Sequence, residues 1–163
     1  MSPRDILGHY TPRSHTQHLA RQHQKWNHLE DGHAGDCWRT VIACLLEIPR
    51  DHVPHFAELY PDESSLDWWY KAVEFVEKQI PGWTLKCLSE FEFPIYKFPE
   101  DAPKKVILSG RSPRGDWHHV ILVDAVTGEK VWDPAKTKGN LLSRDEVYAL
   151  TEIEKETIDD NDV

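Results

Sequence analysis

At 163 residues and 39% apolar content, the chain is long enough for one domain with a substantial core, and seven tryptophans make that core aromatic-rich. A net charge of −9 without a basic stripe excludes a general nucleic-acid binder, and the absence of a long apolar run excludes a membrane span. Three cysteines, an odd count, and a start lacking the apolar segment of a signal peptide point to a reducing, cytoplasmic setting without a disulfide framework.

Residues 1–34 read as an N-terminal arm followed by a polar, helix-compatible stretch from Ser14 to Asn27, anchored by Leu19 and Trp26. The region is rich in histidine, with His15, His18, His23, His28 and His33. The spacing of His28, His33 and Cys37 can be drawn as a metal site. No CxxC pair, HExxH motif or carboxylate fork accompanies it, so neither a metal nor a cofactor is assigned.

Gly35-Asp36-Cys37 reads as a tight turn opening into a buried helix that runs to Glu47. Gly35 offers unusual backbone angles and Asp36 a cap for the first-turn amides. Pro49 ends the helix at or before Ile48. Val41, Cys44, Leu45 and Ile48 share its apolar face, which makes Cys44 core filler. Cys37 differs because it sits on the first turn. There the positive end of the helix dipole favours a thiolate, and the expectation is a lowered thiol pKa.

Residues 49–56 form a connector with Phe56 in the core. Ser64-Ser65-Leu66-Asp67 resembles a capping box and predicts a second helix through about Gln79, with Leu66, Trp69, Tyr70, Val73, Val76 and Ile80 as its apolar stripe. Pro81-Gly82 stops it. Trp83 to Leu88, containing Cys87, is a predicted strand, and Phe91 to Pro103 a loop or edge. Lys105 to Ser109 is a strand and residues 110–115 a loop. His119 to Asp124 is a strand apolar on both faces and therefore interior to a sheet. Thr127-Gly128 turns the chain back into Lys130 to Asp133, and Pro134 ends that strand. Ser143 to Glu146 is a second capping-box pattern, predicting a short helix through about Leu150. Residues 151–163 form an acidic tail, disordered beyond Ile158.

A hairpin centred near residue 126 sets position 119 across from 133. Facing side chains on one sheet face lie roughly 4.5–5.5 Å apart at Cβ. Asp133 can then accept the Nδ1 proton of His119 and leave Nε2 as the base. His118 is a competing base, but its parity sends it to the other sheet face.

These residues resemble a known family. Gly35-Asp36-Cys37-x-Arg39-x-x-Ile42-Ala43-x-Leu45-Leu46-x-Ile48-Pro49, followed by Val53-Pro54-His55-Phe56, is similar to the nucleophile segment of papain-like cysteine hydrolases. The nearest branch is small bacterial and phage proteins related to the C39 peptidases. The stretch from Ser109 to Gly115, with His119-Val120 and Val131-x-Asp133-Pro134, resembles their histidine and aspartate segments. The resemblance covers residues 35–142. It implies an α+β, papain-like fold over residues 35–150, with an N-terminal helix carrying the cysteine packed on a small antiparallel sheet. It further implies Cys37 as nucleophile, His119 as base and Asp133 as the group that orients His119.

Arg111 and Arg114, in the loop before the histidine strand, are candidates for binding an acidic or C-terminal carboxylate of the substrate. Trp38 and Trp117, with Trp132, are candidates to flank the cleft. The pattern departs from the family in one place. Asp31 stands where such enzymes carry the glutamine that donates to the oxyanion, and a carboxylate is a poor donor. The expected activity is hydrolysis of an amide, peptide or isopeptide bond through an acyl-thioester on Cys37, with a protein or peptide as substrate. The alternatives are a catalytically silent papain-like domain that binds a protein or small molecule, and an acyltransferase of transglutaminase type. Oligomeric state is not legible in the sequence.

Overall fold

The computed structural model of the protein describes residues 18–30, 32–62, 64–95, 104–137 and 139–153. The arm before residue 18, Asp31, the end of the Phe91 to Pro103 loop and the tail beyond 153 lie outside the described residues. The architecture is α+β, with helices packed on a five-stranded antiparallel sheet.

Helix α1 spans Cys37–Leu46, α2 Phe56–Leu59 and α3 Asp67–Gln79. The strands are β1 Trp83–Leu88, β2 Lys105–Arg111, β3 His118–Asp124, β4 Lys130–Trp132 and β5 Glu146–Glu152, in the sheet order β1-β5-β2-β3-β4. Every neighbouring pair is antiparallel. From Thr40 to Leu46, α1 is buried on all sides. Such a helix reads as continuously apolar and lies inside the core. It packs on β3, and its side chains join those of Val76, Ile80, Leu85, Ile107 and Leu122 in the main core. The opposite sheet face buries Val106, Leu108, Ile121 and Val123 beneath Phe91, Phe93 and Ile95 of the loop after β1.

Several expectations change. The segment predicted as a short helix from Ser143 is strand β5. Val147 to Leu150 are buried in succession; all four pair with β1, and Val147 and Tyr148 pair with β2 as well. That two-sided burial overrides the capping pattern. Ser143 Oγ instead accepts the Arg111 amide at 2.9 Å. Because β5 runs to Glu152, the first two residues of the predicted tail belong to the sheet. Strand β2 continues through Gly110 and Arg111 into the predicted loop. A Cβ on Gly110 would lie 1.9 Å from the Ser143 carbonyl oxygen, so only glycine lets that backbone pass.

The second helix keeps its predicted end, but its buried side turns. Leu66 and Tyr70 are exposed, while Ala72, Val76 and Ile80 are buried, with Trp69 and Phe75 packed alongside. No capping box forms there: Ser64 bonds Asp62, and Ser65 Oγ accepts the Asp67 amide. The connector after Pro49 contains a single 3-10 turn, Arg50–His52, and Phe56 is buried as expected.

Residues 18–27 are not an α-helix. After one 3-10 turn the chain runs extended across the domain, held by its polar side chains. Gln22 donates to the Ile48 carbonyl at 2.7 Å and accepts the Arg50 amide at 2.7 Å, and its own carbonyl accepts Trp132 Nε1–H at 2.8 Å. The Gln24 amide donates to the Pro134 carbonyl at 2.9 Å. The strap thereby ties the end of α1 to the end of β4.

Candidate active site

The site forms where the N-terminus of α1 meets the start of β3. Cys37, half-buried, is the first residue of α1. His119, whose side chain is 3% exposed, is the second residue of β3 and neighbours the close backbone contact at Gly110. Asp133 follows the last residue of β4. His119 Nε2 donates to Asp133 Oδ1 at 2.7 Å. The route to this contact differs from a simple hairpin pairing. A bulge between Leu122 and Val123 shifts the register and sets Leu122 opposite Trp132. The ladder ends there, and Asp133 reaches His119 along a diagonal instead of from directly across.

The ring nitrogens also exchange their expected roles. Asp133 holds Nε2, so Nδ1 is the nitrogen left for Cys37. Cys37 lies close enough to the ring to help raise its pKa. Burial is the largest influence on His119 and opposes the charged ring. The hydrogen bonds to Asp133 and Cys37, with the charges behind them, outweigh it and raise the pKa from 6.5 to about 9. Burial likewise pushes Asp133 up. Hydrogen bonds from His119 and the Ala135 amide, and the nearby charges of His119 and Arg114, hold it below the ordinary carboxylate range.

Asp36 does not cap the helix. Its side chain is buried and turned back, accepting the Trp26 amide at 2.7 Å, the Lys25 amide at 3.1 Å and Arg39 Nε–H at 2.9 Å. The first-turn amides of α1 are thus left without a side-chain cap. Gly35 has no positive φ, so it serves a close approach instead. A Cβ there would meet the His28 backbone nitrogen at 3.2 Å. The segment before the nucleophile is further pinned by His55, whose Nε2 donates to the Ala34 carbonyl at 2.8 Å, and by His33, whose Nδ1 lies 3.0 Å from Glu58. His55 stands in the Val53-Pro54-His55-Phe56 motif, which was the one sequence signal for this role.

A cleft of about 590 Å³ opens over Cys37 and His119. Trp38 and Trp117 line it, whereas Trp132 turns away to bond Gln22 and meets His23 edge-on. Trp38 also stacks into a cluster with Trp68, Trp69 and Tyr148, which ties α1 to α3 and β5. Arg114 lines the cleft. Arg111 does not: it is exposed and paired with Asp116 at 2.8 Å. His118 is exposed and also lines the cleft, with Nε2 3.4 Å from Asp145. The histidines considered for a metal are engaged in ring stacks, His28 at the edge of the cleft. His28 stacks on Trp117 at 4.6 Å and His33 on Trp26 at 4.0 Å.

Gln24 is the feature the sequence did not single out from its neighbours. It is buried and lines the cleft, its Nε2 donates to the Trp26 carbonyl at 2.8 Å, and its Oε1 is buried without a hydrogen-bond partner. Among the other cysteines, Cys44 is fully buried and its pKa is raised by that burial to about 11. Cys87 is exposed on β1, where partial burial and Glu146 push its thiol up. Among the described residues, no helix is long and apolar enough to cross a membrane. No protein-family model, curated protein or solved structure matches the chain.

Proposed function

We propose that the protein is a papain-like thiol hydrolase that cleaves an amide, peptide or isopeptide bond in a protein or peptide substrate. One observation carries the reading: His119 bonds Asp133 at 2.7 Å in the cleft it shares with the helix-start Cys37, and its pKa is raised to about 9. In the proposed reaction the protonated ring is the acid and the Cys37 thiolate its partner and the nucleophile.

The thiolate attacks the carbonyl carbon and the carbonyl electrons move to oxygen. The uncapped amides of the first turn of α1 face the resulting oxyanion. Asp31 lies outside the described residues, and Gln24 is the side chain we assign as the second donor. It lines the cleft, and its Nε2 carries two N–H groups, of which one is given to the Trp26 carbonyl and the other is left for the oxyanion. His119 Nδ1–H protonates the departing amine, the C–N bond breaks, and an acyl-thioester forms on Cys37. Water then attacks the thioester while His119 takes its proton, and the carboxylic acid and the thiolate are released. Asp133 fixes the ring's tautomer and stabilises its charged form throughout.

The reading is tested by competitive alkylation with iodoacetamide near pH 6, where ordinary thiols are protonated. Cys37 should alkylate far faster than exposed Cys87, and His119→Ala should abolish the difference. Equal rates would mean that the fold serves as a binding domain.

A further inference from the structure

We propose that Arg114 is the receptor for a carboxylate on the leaving-group side of the substrate, an inference that rests on the hydrolase reading. Arg114 lines the same cleft as Cys37 and His119, and its Nη1 is enclosed with no hydrogen-bond partner. A buried guanidinium nitrogen left unpaired is costly, and its natural complement is an anion that arrives with the ligand.

Neither neighbouring carboxylate hydrogen-bonds the Arg114 guanidinium among the described residues. Asp116 is bound by Arg111. Asp133 Oδ1 accepts from His119 and from the Ala135 amide, and it senses Arg114 only as a charge. The loop is preset, since Ser112 Oγ accepts the Arg114 amide at 3.1 Å and the Ser112 amide donates to the Trp117 carbonyl at 2.8 Å.

The position of Arg114 selects the side of the substrate. His119 delivers its proton to the departing amine, and Arg114 sits on the flank of the His119–Asp133 pair. A group bound there belongs to the amine portion. The charge selects the class: among the described residues no lysine lines the cleft, and Asp133 lies nearby, so the Arg114 charge faces a monoanion better than a dianionic phosphate. The shared chemistry is an amine bearing a carboxylate, supplied either by the α-carboxylate of a C-terminal residue or by an acidic side chain.

The test compares alkylation of Cys37 by anionic iodoacetate and neutral iodoacetamide in the full chain. The iodoacetate-to-iodoacetamide rate ratio should fall about tenfold in Arg114→Gln, the scale of one charge-assisted hydrogen bond. Arg111→Gln should leave it unchanged. In wild-type protein, alanine or isoglutamine should protect Cys37 from iodoacetamide and alaninamide should not. Protection by alanine assigns the α-carboxylate, and protection by isoglutamine alone assigns a side-chain carboxylate. An unchanged ratio in Arg114→Gln, or equal protection by alanine and alaninamide in the wild type should that variant not fold, overturns the proposal while leaving a reactive Cys37. A Cys37 inert to both reagents removes the hydrolase reading and this inference with it.

Discussion

Asp133→Asn isolates the contribution of the orienting carboxylate. The amide keeps the shape and still offers an oxygen to the Ala135 amide, which now donates to Asp133 Oδ1 at 2.9 Å. What it removes is the charge behind the 2.7 Å bond from His119. A hydrogen bond to a charged group contributes roughly 1.5–3 kcal/mol. At about 1.4 kcal/mol per unit, that is about one to two pKa units. His119, raised to about 9 in the native protein, should therefore titrate between about 7 and 8 in the variant. An NMR titration of the carbon-labelled histidine ring, assigned by comparison with His119→Gln, reads the midpoint directly. Burial, the largest influence on His119, acts in the same direction once the carboxylate is gone, so the shift has only one allowed sign. A midpoint that stays near 9 in Asp133→Asn would refute the reasoning and leave Cys37 alone as the partner that charges the ring.

Stability should follow the same titration. The folded pKa of His119 is raised, so its contribution is fully present below about 6.5 and is lost as pH rises through about 9. Urea melts should lose up to about 3 kcal/mol across that window, with a smaller loss in Asp133→Asn. Cys44 acts with the same sign in a separate window, between 9.0 and about 11. Asp36→Ala removes a buried carboxylate that joins Lys25, Trp26 and Arg39, and should cost about 3–5 kcal/mol in the same melts. Retention of native stability would show that the strap does not depend on it. Gln24→Ala should slow acylation of Cys37 by an ester about a hundredfold while leaving iodoacetamide alkylation, which develops no oxyanion, unchanged. Equal slowing of both reactions would make Gln24 a structural residue.

The parts of the fold that were legible carry strong local chemistry. Strand β1 is bounded by Gly82 and by Ser89-Glu90, and α1 holds an unbroken apolar run from Val41 to Leu46 closed by Pro49, so both emerge at nearly their predicted limits. The segment from Ser143 shows the opposite case. Its side-chain pattern caps a helix, yet Val147 to Leu150 fill the gap between β1 and β2, a contact that no local window contains. The polar strap at Gln22 and Gln24 was equally hidden. Its partners, Ile48, Arg50, Trp132 and Pro134, lie far along the chain, and amide side chains that satisfy distant backbone look like any polar stretch.

At the site, residue types and order were enough to bring Cys37, His119 and Asp133 forward as a group. The finer geometry was not available from spacing. The bulge at Leu122 and Val123 moved the register, and the ring nitrogen that faces Asp133 is Nε2. Asp36 read as a cap because aspartate before a helix usually is one. Its burial against the backbone of Lys25 and Trp26 is a tertiary fact, and it is what leaves the amides beside Cys37 open.

The central claim is that Cys37 carries an acyl group. It is tested most directly by mixing the protein with p-nitrophenyl acetate and following p-nitrophenol release together with the intact mass. The account predicts a burst of one p-nitrophenol per chain, one acetyl group mapped to Cys37, and its slow loss to water, with no burst in Cys37→Ala or His119→Ala. Absence of a burst, or acetylation spread over Cys87 and the lysines with Cys37 unmodified, would contradict it.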